Sequence, residues 1–116
     1  MKFKLIVVFI AGDKTEQITE TARAAGATGC TVITSARGEG LKKKKTFLGL
    51  DLAGQRDVVL LLVEQHMSRQ ILEAVAKAGL FDEEPGTGIA VQVDIEDAIG
   101  LGTQIGTIEK EIEDQI

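Results

Sequence analysis

Leu5-Ile6-Val7-Val8-Phe9-Ile10 and Val58-Val59-Leu60-Leu61-Leu62-Val63 are the two stretches that decide the fold. Both are six-residue apolar runs rich in β-branched residues, the length and content of a buried strand. Each is followed by a short amphipathic segment, a glycine and another apolar strand, so that Lys4 to Thr34 and Val58 to Val93 repeat one design. Two such βαβ blocks predict an α+β protein of the ferredoxin-like βαββαβ sandwich type. Its four-stranded antiparallel sheet carries both helices on one face.

That arrangement leaves a physical problem. Runs without alternation read as strands buried on both faces. Two short helices shield one face only, and monomers avoid an exposed apolar patch of that size. The chain is therefore expected to assemble through the open face of its sheet. Sequence physics alone does not choose the number of copies, although dimers are the commonest closed assembly.

The helices read as follows. Asp13 caps the first, with Glu16 three residues on in a capping-box pattern, and Ile18, Ala22 and Ala25 mark its inner face. Gly26 ends it in the left-handed conformation. Ser68 caps the second, whose inner face is Ile71, Leu72, Val75 and Ala76, with Glu73 and Lys77 paired outside and Gly79 at its end. Strands follow at Thr28–Ala36 and Ile89–Val93. Asp94 is placed to cap one turn over Ile95–Ile99. Isoleucines at 105, 108, 112 and 116, with acidic residues between, predict an amphipathic C-terminal helix over 105–116.

Arg37 to Asp57 holds no period. It contains four glycines, the run Lys42-Lys43-Lys44-Lys45, and then Thr46-Phe47-Leu48. A stretch this long without regular structure inside a compact domain is usually functional or disordered. A lysine run is commonly a solvated face. Its sharper reading is a docking surface, with Phe47 and Leu48 as apolar anchors.

Composition sets the bounds. With 116 residues and 12.4 kDa, one domain over 1–116 is expected. A net charge of −5 disfavours general nucleic-acid binding. The absence of Trp and Tyr removes stacking platforms for single strands. No apolar run approaches the roughly 18 residues that span a bilayer. The single cysteine, Cys30, excludes an intramolecular disulfide, suits a reducing, cytoplasmic setting, and reads as a small buried hydrophobe in a strand. His66 is the only histidine, too little for a metal site. No catalytic constellation is visible.

The pattern resembles the PII signalling family, in particular its divergent PII-like members, to about Thr103. The resemblance is carried by Gly29-Cys30-Thr31-Val32, by Gly38-Glu39-Gly40 at the mouth of the long stretch, by Gly86-Thr87-Gly88-Ile89-Ala90-Val91, and by Val93-Asp94-Ile95-Glu96-Asp97-Ala98-Ile99. It implies a homotrimer with sheets packed face to face. It also implies an adenine nucleotide (AMP, ADP, ATP or cyclic AMP) in the clefts between subunits. The 38–57 segment would be a T-loop that docks on a partner such as a membrane transporter. No prosthetic group is implied.

Carried over position by position, the resemblance makes Thr31, Arg37, Gly38, Glu39, Gly40, Gly86, Thr87, Gly88 and Ile89 nucleotide-binding candidates. Lys42, Lys43, Lys44, Lys45, Phe47 and Leu48 become partner-binding candidates. Glycines at such corners let backbone N–H groups approach a phosphate. Typical members also carry a lysine just after the second glycine turn and two arginines near the end of the fold. This chain has Ile89 or Ala90 at the first place, and Gly100 and Gly102 at the others. Each missing charge-assisted hydrogen bond is worth about 1.5–3 kcal/mol, so a ligand with fewer phosphates than ATP is better suited. The chain has no tyrosine, which excludes the loop modification known in some lineages. A trimer similar to CutA, which binds divalent cations, shares the frame. An enzyme using Cys30 or His66 is the remaining rival.

Overall fold

The computed structural model describes residues 2–36, 46–47, 50–51 and 56–101. Six strands and two helices follow one another: β1 (Phe3–Ala11), α1 (Thr15–Ala24), β2 (Thr31–Ala36), β3 (Thr46–Phe47), β4 (Leu50–Asp51), β5 (Arg56–Glu64), α2 (Gln65–Gly79) and β6 (Gly88–Asp94). The main sheet has the order β2-β5-β1-β6, and every neighbouring pair is antiparallel. This is the expected ferredoxin-like sandwich. β3 and β4 form a separate two-stranded pairing inside the long stretch. β5 takes in Arg56 and Asp57, the last two residues of the expected 38–57 loop.

Register sorts the two apolar runs into two faces. Ile6 pairs with Leu61, Val8 with Val59 and Ile10 with Asp57, and these positions point toward the helices. Ile6, Val8, Val59 and Leu61 join Ile18 and Ala22 of α1 and Ile71 and Val75 of α2 in one fully buried core. Each large apolar side chain withdrawn in this way stabilises the fold by about 1.5–3 kcal/mol. On the other face lie Leu5, Val7 and Phe9 of β1 and Val58, Leu60 and Leu62 of β5, none of them fully covered. Their cross-strand neighbours Ile33, Val91 and Val93 are 48%, 41% and 46% exposed. The unshielded apolar face foreseen from the sequence is therefore present in the single chain.

The helix starts differ from expectation. A 3-10 turn over Gly12–Lys14 precedes α1, so Asp13 is no cap; the N-cap place falls to Lys14, whose side chain makes no capping bond. A tertiary bond takes precedence here: Thr15 donates its hydroxyl to buried Asp57 at 2.6 Å. α2 begins three residues before Ser68. Buried Glu64 caps it by accepting from the His66 N–H at 2.7 Å. Ser68 instead turns inward and donates to the Gln65 carbonyl. Glu73 pairs with Arg69, one turn back, rather than with Lys77.

Both helices end in the same Schellman motif. In α1 the N–H groups of Gly26 and Ala27 reach the carbonyls of Arg23 and Ala22. In α2 those of Leu80 and Phe81 reach Lys77 and Ala76. The left-handed residue is Gly26 (φ 121°) in the first and Leu80 (φ 56°), not Gly79, in the second. Each helix also lends a glutamine to the other's end: Gln70 donates to the Ala25 carbonyl and Gln17 to that of Ala78. After β6, residues 95–101 form no helix; Asp94 closes the strand and pairs with Lys4. The expected helix over 105–116 lies outside the described residues.

Candidate functional site

Thr31 opens β2 opposite Leu60, on the open face of the sheet. The four residues before β2, Ala27 to Cys30, are irregular, and the run from Thr28 to Thr31 is exposed. They wall a shallow cavity of about 420 Å³ whose floor is Leu5, Leu60 and Leu62. An apolar floor beside two threonine hydroxyls suits a flat heterocycle with polar edges. Cys30 lines this cavity and is exposed, contrary to the buried strand position expected of it. The reason is register: β2 begins only at Thr31, one residue later.

The second candidate group lies on the opposite edge. Gly86 adopts φ 78°, which a side chain would disfavour, and turns the chain into β6. Thr87 places its hydroxyl 3.0 Å from the Leu80 carbonyl and 2.9 Å from that of Glu84. Gly88 is buried and pairs with Ile10; Ile89 pairs with Phe9 on the open face. The Gly88 Cα packs on the Phe81 ring, so this glycine has a packing role as well as any role toward a ligand. Phe81 is a residue the sequence reading passed over; no sequence pattern marks its contact with both Gly79 and Gly88. A groove of about 340 Å³ runs beside it, lined by Arg69, Leu72, Glu73, Ala76, Phe81, Asp82, Gly88, Ile89 and Ala90.

These two groups do not meet within one chain. β2 and β6 are the two edges of the main sheet, three strand spacings or about 14 Å apart. The mouth of the long stretch, where Ala36 pairs with Arg56, lies at the same end of the sheet as Gly88, because Arg56 pairs with Ala11 and Gly88 with Ile10.

Arg37, Gly38, Glu39, Gly40, Lys42, Lys43, Lys44, Lys45 and Leu48 lie outside the described residues. Phe47 belongs to β3, in register with Leu50. His66 places Nδ1 2.7 Å from Glu64 Oε1. Among the described residues no group of three potential ligands could hold a metal ion. At the far end of β6 the Lys4 ammonium contacts Asp94 at 2.8 Å, and this hydrogen bond holds the Asp94 carboxyl below the usual carboxylate range.

The family model described as nitrogen regulatory protein P-II matches residues 3–104. Among solved structures, a PII-like signaling protein from Thermus thermophilus is similar at 22% identity with a TM-score of 0.61, covering 82% of this chain and 88% of that one. CPII from Thiomonas intermedia, bound to ADP, AMP and acetate, is similar at 17% identity and TM-score 0.59, covering 83% and 90%. The same protein bound to ADP, AMP and bicarbonate gives 19% and 0.61, covering 84% and 97%. At these identities the structural likeness shows the fold. No curated protein matches by sequence.

Proposed function

The chain belongs to the nitrogen regulatory protein P-II family, whose members are signalling regulators rather than enzymes, and from that premise we propose that it binds an adenine nucleotide between copies of itself. Occupancy of that cleft would bias the conformation of the 38–57 loop and so its hold on a partner. The observation that carries this reading is the division of the site. The base-sized cavity at Thr31 and the glycine corner at Gly86–Gly88 sit on opposite sheet edges, beside an apolar face that one chain leaves bare.

Assembly covers that face and joins an edge of one copy to the other edge of the next. We take the assembly to be a homotrimer, as the family resemblance implies. The adenine would rest on Leu5, Leu60 and Leu62, with Thr28 and Thr31 at its polar rim. Its phosphate would point to Gly86–Gly88 of the adjacent copy. The bound ADP and AMP in the Thiomonas structures are consistent with this ligand class. For the partner we propose a membrane transporter, on fold-level analogy. The setting would be cytoplasmic; no helix among the described residues is long and apolar enough to cross a membrane.

Two measurements test the reading. Sedimentation should give three times the 12.4 kDa chain mass. Titration calorimetry should give heat with at least one of AMP, ADP, ATP or cyclic AMP. A single copy in dilute buffer, or no heat with any nucleotide at millimolar concentration, overturns it. Heat with copper alone would point to the CutA-like alternative.

A further inference from the structure

We infer that residues 105–116 form an amphipathic helix seated in the groove between α2 and β6 of the same chain, its isoleucines resting on Leu72, Ala76, Phe81 and Ala90. The placement stands apart from the nucleotide reading, since nothing in it requires a ligand.

The groove is the part of the helix layer that α1 and α2 leave open. β6 is an edge strand, bonded to β1 on one side only. Its Gly88 and Ala90 pair with Ile10 and Val8, which are buried under the helices, so both positions face the helix layer. Gly88 is covered by the Phe81 ring, but Ala90 is half-buried, and so are Leu72 and Ala76 across the groove. Leu72, Phe81 and Ala90 pack on the core without being closed over by it.

The sequence supplies an occupant of matching pattern and length. Leu101, Ile105, Ile108, Ile112 and Ile116 fall on one helical stripe. Leu101, which opens the series, is half-buried, whereas Ile99, outside it, is fully exposed. A helix over 105–116 would be about 18 Å long, and the seven residues of β6 span about 23 Å. Glu111, Glu113 and Asp114 fall on the sides and back of that helix, turned away from Glu73 and Asp82 in the groove wall. Anchors at such spacing, laid in an apolar groove, are a recurrent docking mode.

Topology brings the stretch to the groove. β6 ends at Asp94, tied to Lys4 at 2.8 Å. α2 starts at the same end of the sheet, where Glu64 pairs with Phe3 and the Gln65 N–H donates to the Lys2 carbonyl at 2.9 Å. A segment continuing from Leu101 therefore needs one reversal to run back alongside α2. Gly100 has φ 101° and open space where a Cβ would stand, so the turn of the backbone, and not packing, calls for glycine there.

Nuclear magnetic resonance on the full chain tests the placement, with a nitroxide attached through Gln115→Cys in a Cys30→Ser background. The amides of Phe81, Gly88 and Ala90, at the end of the groove that position 115 would reach, should lose most of their intensity. Those of Thr28, Gly29 and Thr31, on the opposite sheet edge, should lose least. Ile108→Asp with Ile112→Asp in the same labelled chain should erase that contrast and leave the core amides of Ile6 and Val59 at their wild-type shifts. No loss, or an even loss throughout, overturns the inference. So does a loss greatest at Leu5, Leu60 and Leu62, which would seat the stretch on the open face of the sheet. In a mixed sample, where the isotope-labelled chains carry no nitroxide, the groove amides should stay sharp. Broadening there as strong as in the unmixed sample would put a neighbouring copy's stretch in the groove and overturn the same-chain placement.

Discussion

The ring of Phe81 occupies the space in front of the Gly88 Cα. Its Cζ stands 2.7 Å from where a Cβ on Gly88 would lie, and its Cδ1 is equally close to the corresponding point on Gly79. An alanine at 88 has to displace a ring already wedged between two backbones. Gly88→Ala should therefore destabilise the fold by about 1–3 kcal/mol, the usual cost of overpacking. Phe81→Leu should absorb part of that cost, so the double variant should be more stable than the two single effects added together. Denaturant melts measure this coupling. Strict additivity would mean that the ring is not what excludes the Cβ. Nucleotide titration of the double variant then reads the ligand role of Gly88 separately from its packing role.

Val93 faces the same side as Leu5 and is 46% exposed, on edge strand β6 where the uncovered face meets the sheet edge. A lysine there leaves the helix-side core untouched. Val93→Lys should keep the circular-dichroism spectrum of the wild type and shift the sedimenting species toward the single chain. A buried unpaired charge costs several kcal/mol at an interface, more than most assemblies of this size can offset. A V93K protein that sediments like the wild type would place the interface elsewhere.

The same positions show what the sequence could and could not tell. The runs Leu5–Ile10 and Val58–Val63 announced two central strands because their apolar content is continuous, and the inner faces of both helices followed from spacing alone. The helix starts were misread at Asp13 and Ser68 because a cap is decided by competition. Thr15 found Asp57 forty-two positions away, and Glu64 reached His66, and neither partner is marked by a local pattern. The cavity floor of Leu5, Leu60 and Leu62 was hidden until the pairing of Leu5 with Leu62 and Val7 with Leu60 set them side by side. Thr31 and Gly86–Gly88 became candidates only through the family resemblance. That they occupy opposite edges is a fact of topology, not of residue type.

Cys30 gives the cavity a built-in reporter. It is exposed and lines the space assigned to the adenine. Its modification by a neutral maleimide should slow by about tenfold when AMP is present at saturating concentration, as expected when a bound ligand buries most of its pocket wall. Thr31→Val should weaken AMP binding by about 0.5–1.5 kcal/mol, the net worth of one hydrogen bond, and reduce the protection in step. Unchanged labelling under conditions where calorimetry shows AMP bound would move the adenine away from Thr28–Thr31.

The Lys4–Asp94 pair ties the end of β6 to β1 and gives a pH-dependent contribution whose sign is fixed. The Asp94 carboxyl is held below its ordinary range by the Lys4 hydrogen bond, so the folded state favours the ionised form. That contribution is complete above the unfolded value of about 3.9 and fades as pH falls through the lower, folded value. Wild type should melt above Asp94→Asn at pH 7, and the two melting curves should converge as pH falls through the lowered, folded value. Both carboxyl and amine are near the surface, so added salt should narrow the gap at pH 7. A difference that grows on acidification would contradict the pairing.

Leu80 is the one described residue other than glycine with a positive φ, and it holds the place that Gly26 holds in the first helix. A left-handed conformation costs an L-residue about 1–2 kcal/mol. Glycine at that place would relieve the strain while giving back about 0.5–1 kcal/mol in chain entropy. Leu80 is 40% exposed, so the burial lost on truncation is partial. Leu80→Gly should accordingly stay within about 1 kcal/mol of the wild type in a thermal melt, whereas Gly79→Ala, one position earlier, should be clearly destabilised because Phe81 stands against that Cα. The opposite order would mean that the side chain of Leu80 contributes more through packing, in the chain or in its assembly, than its backbone costs.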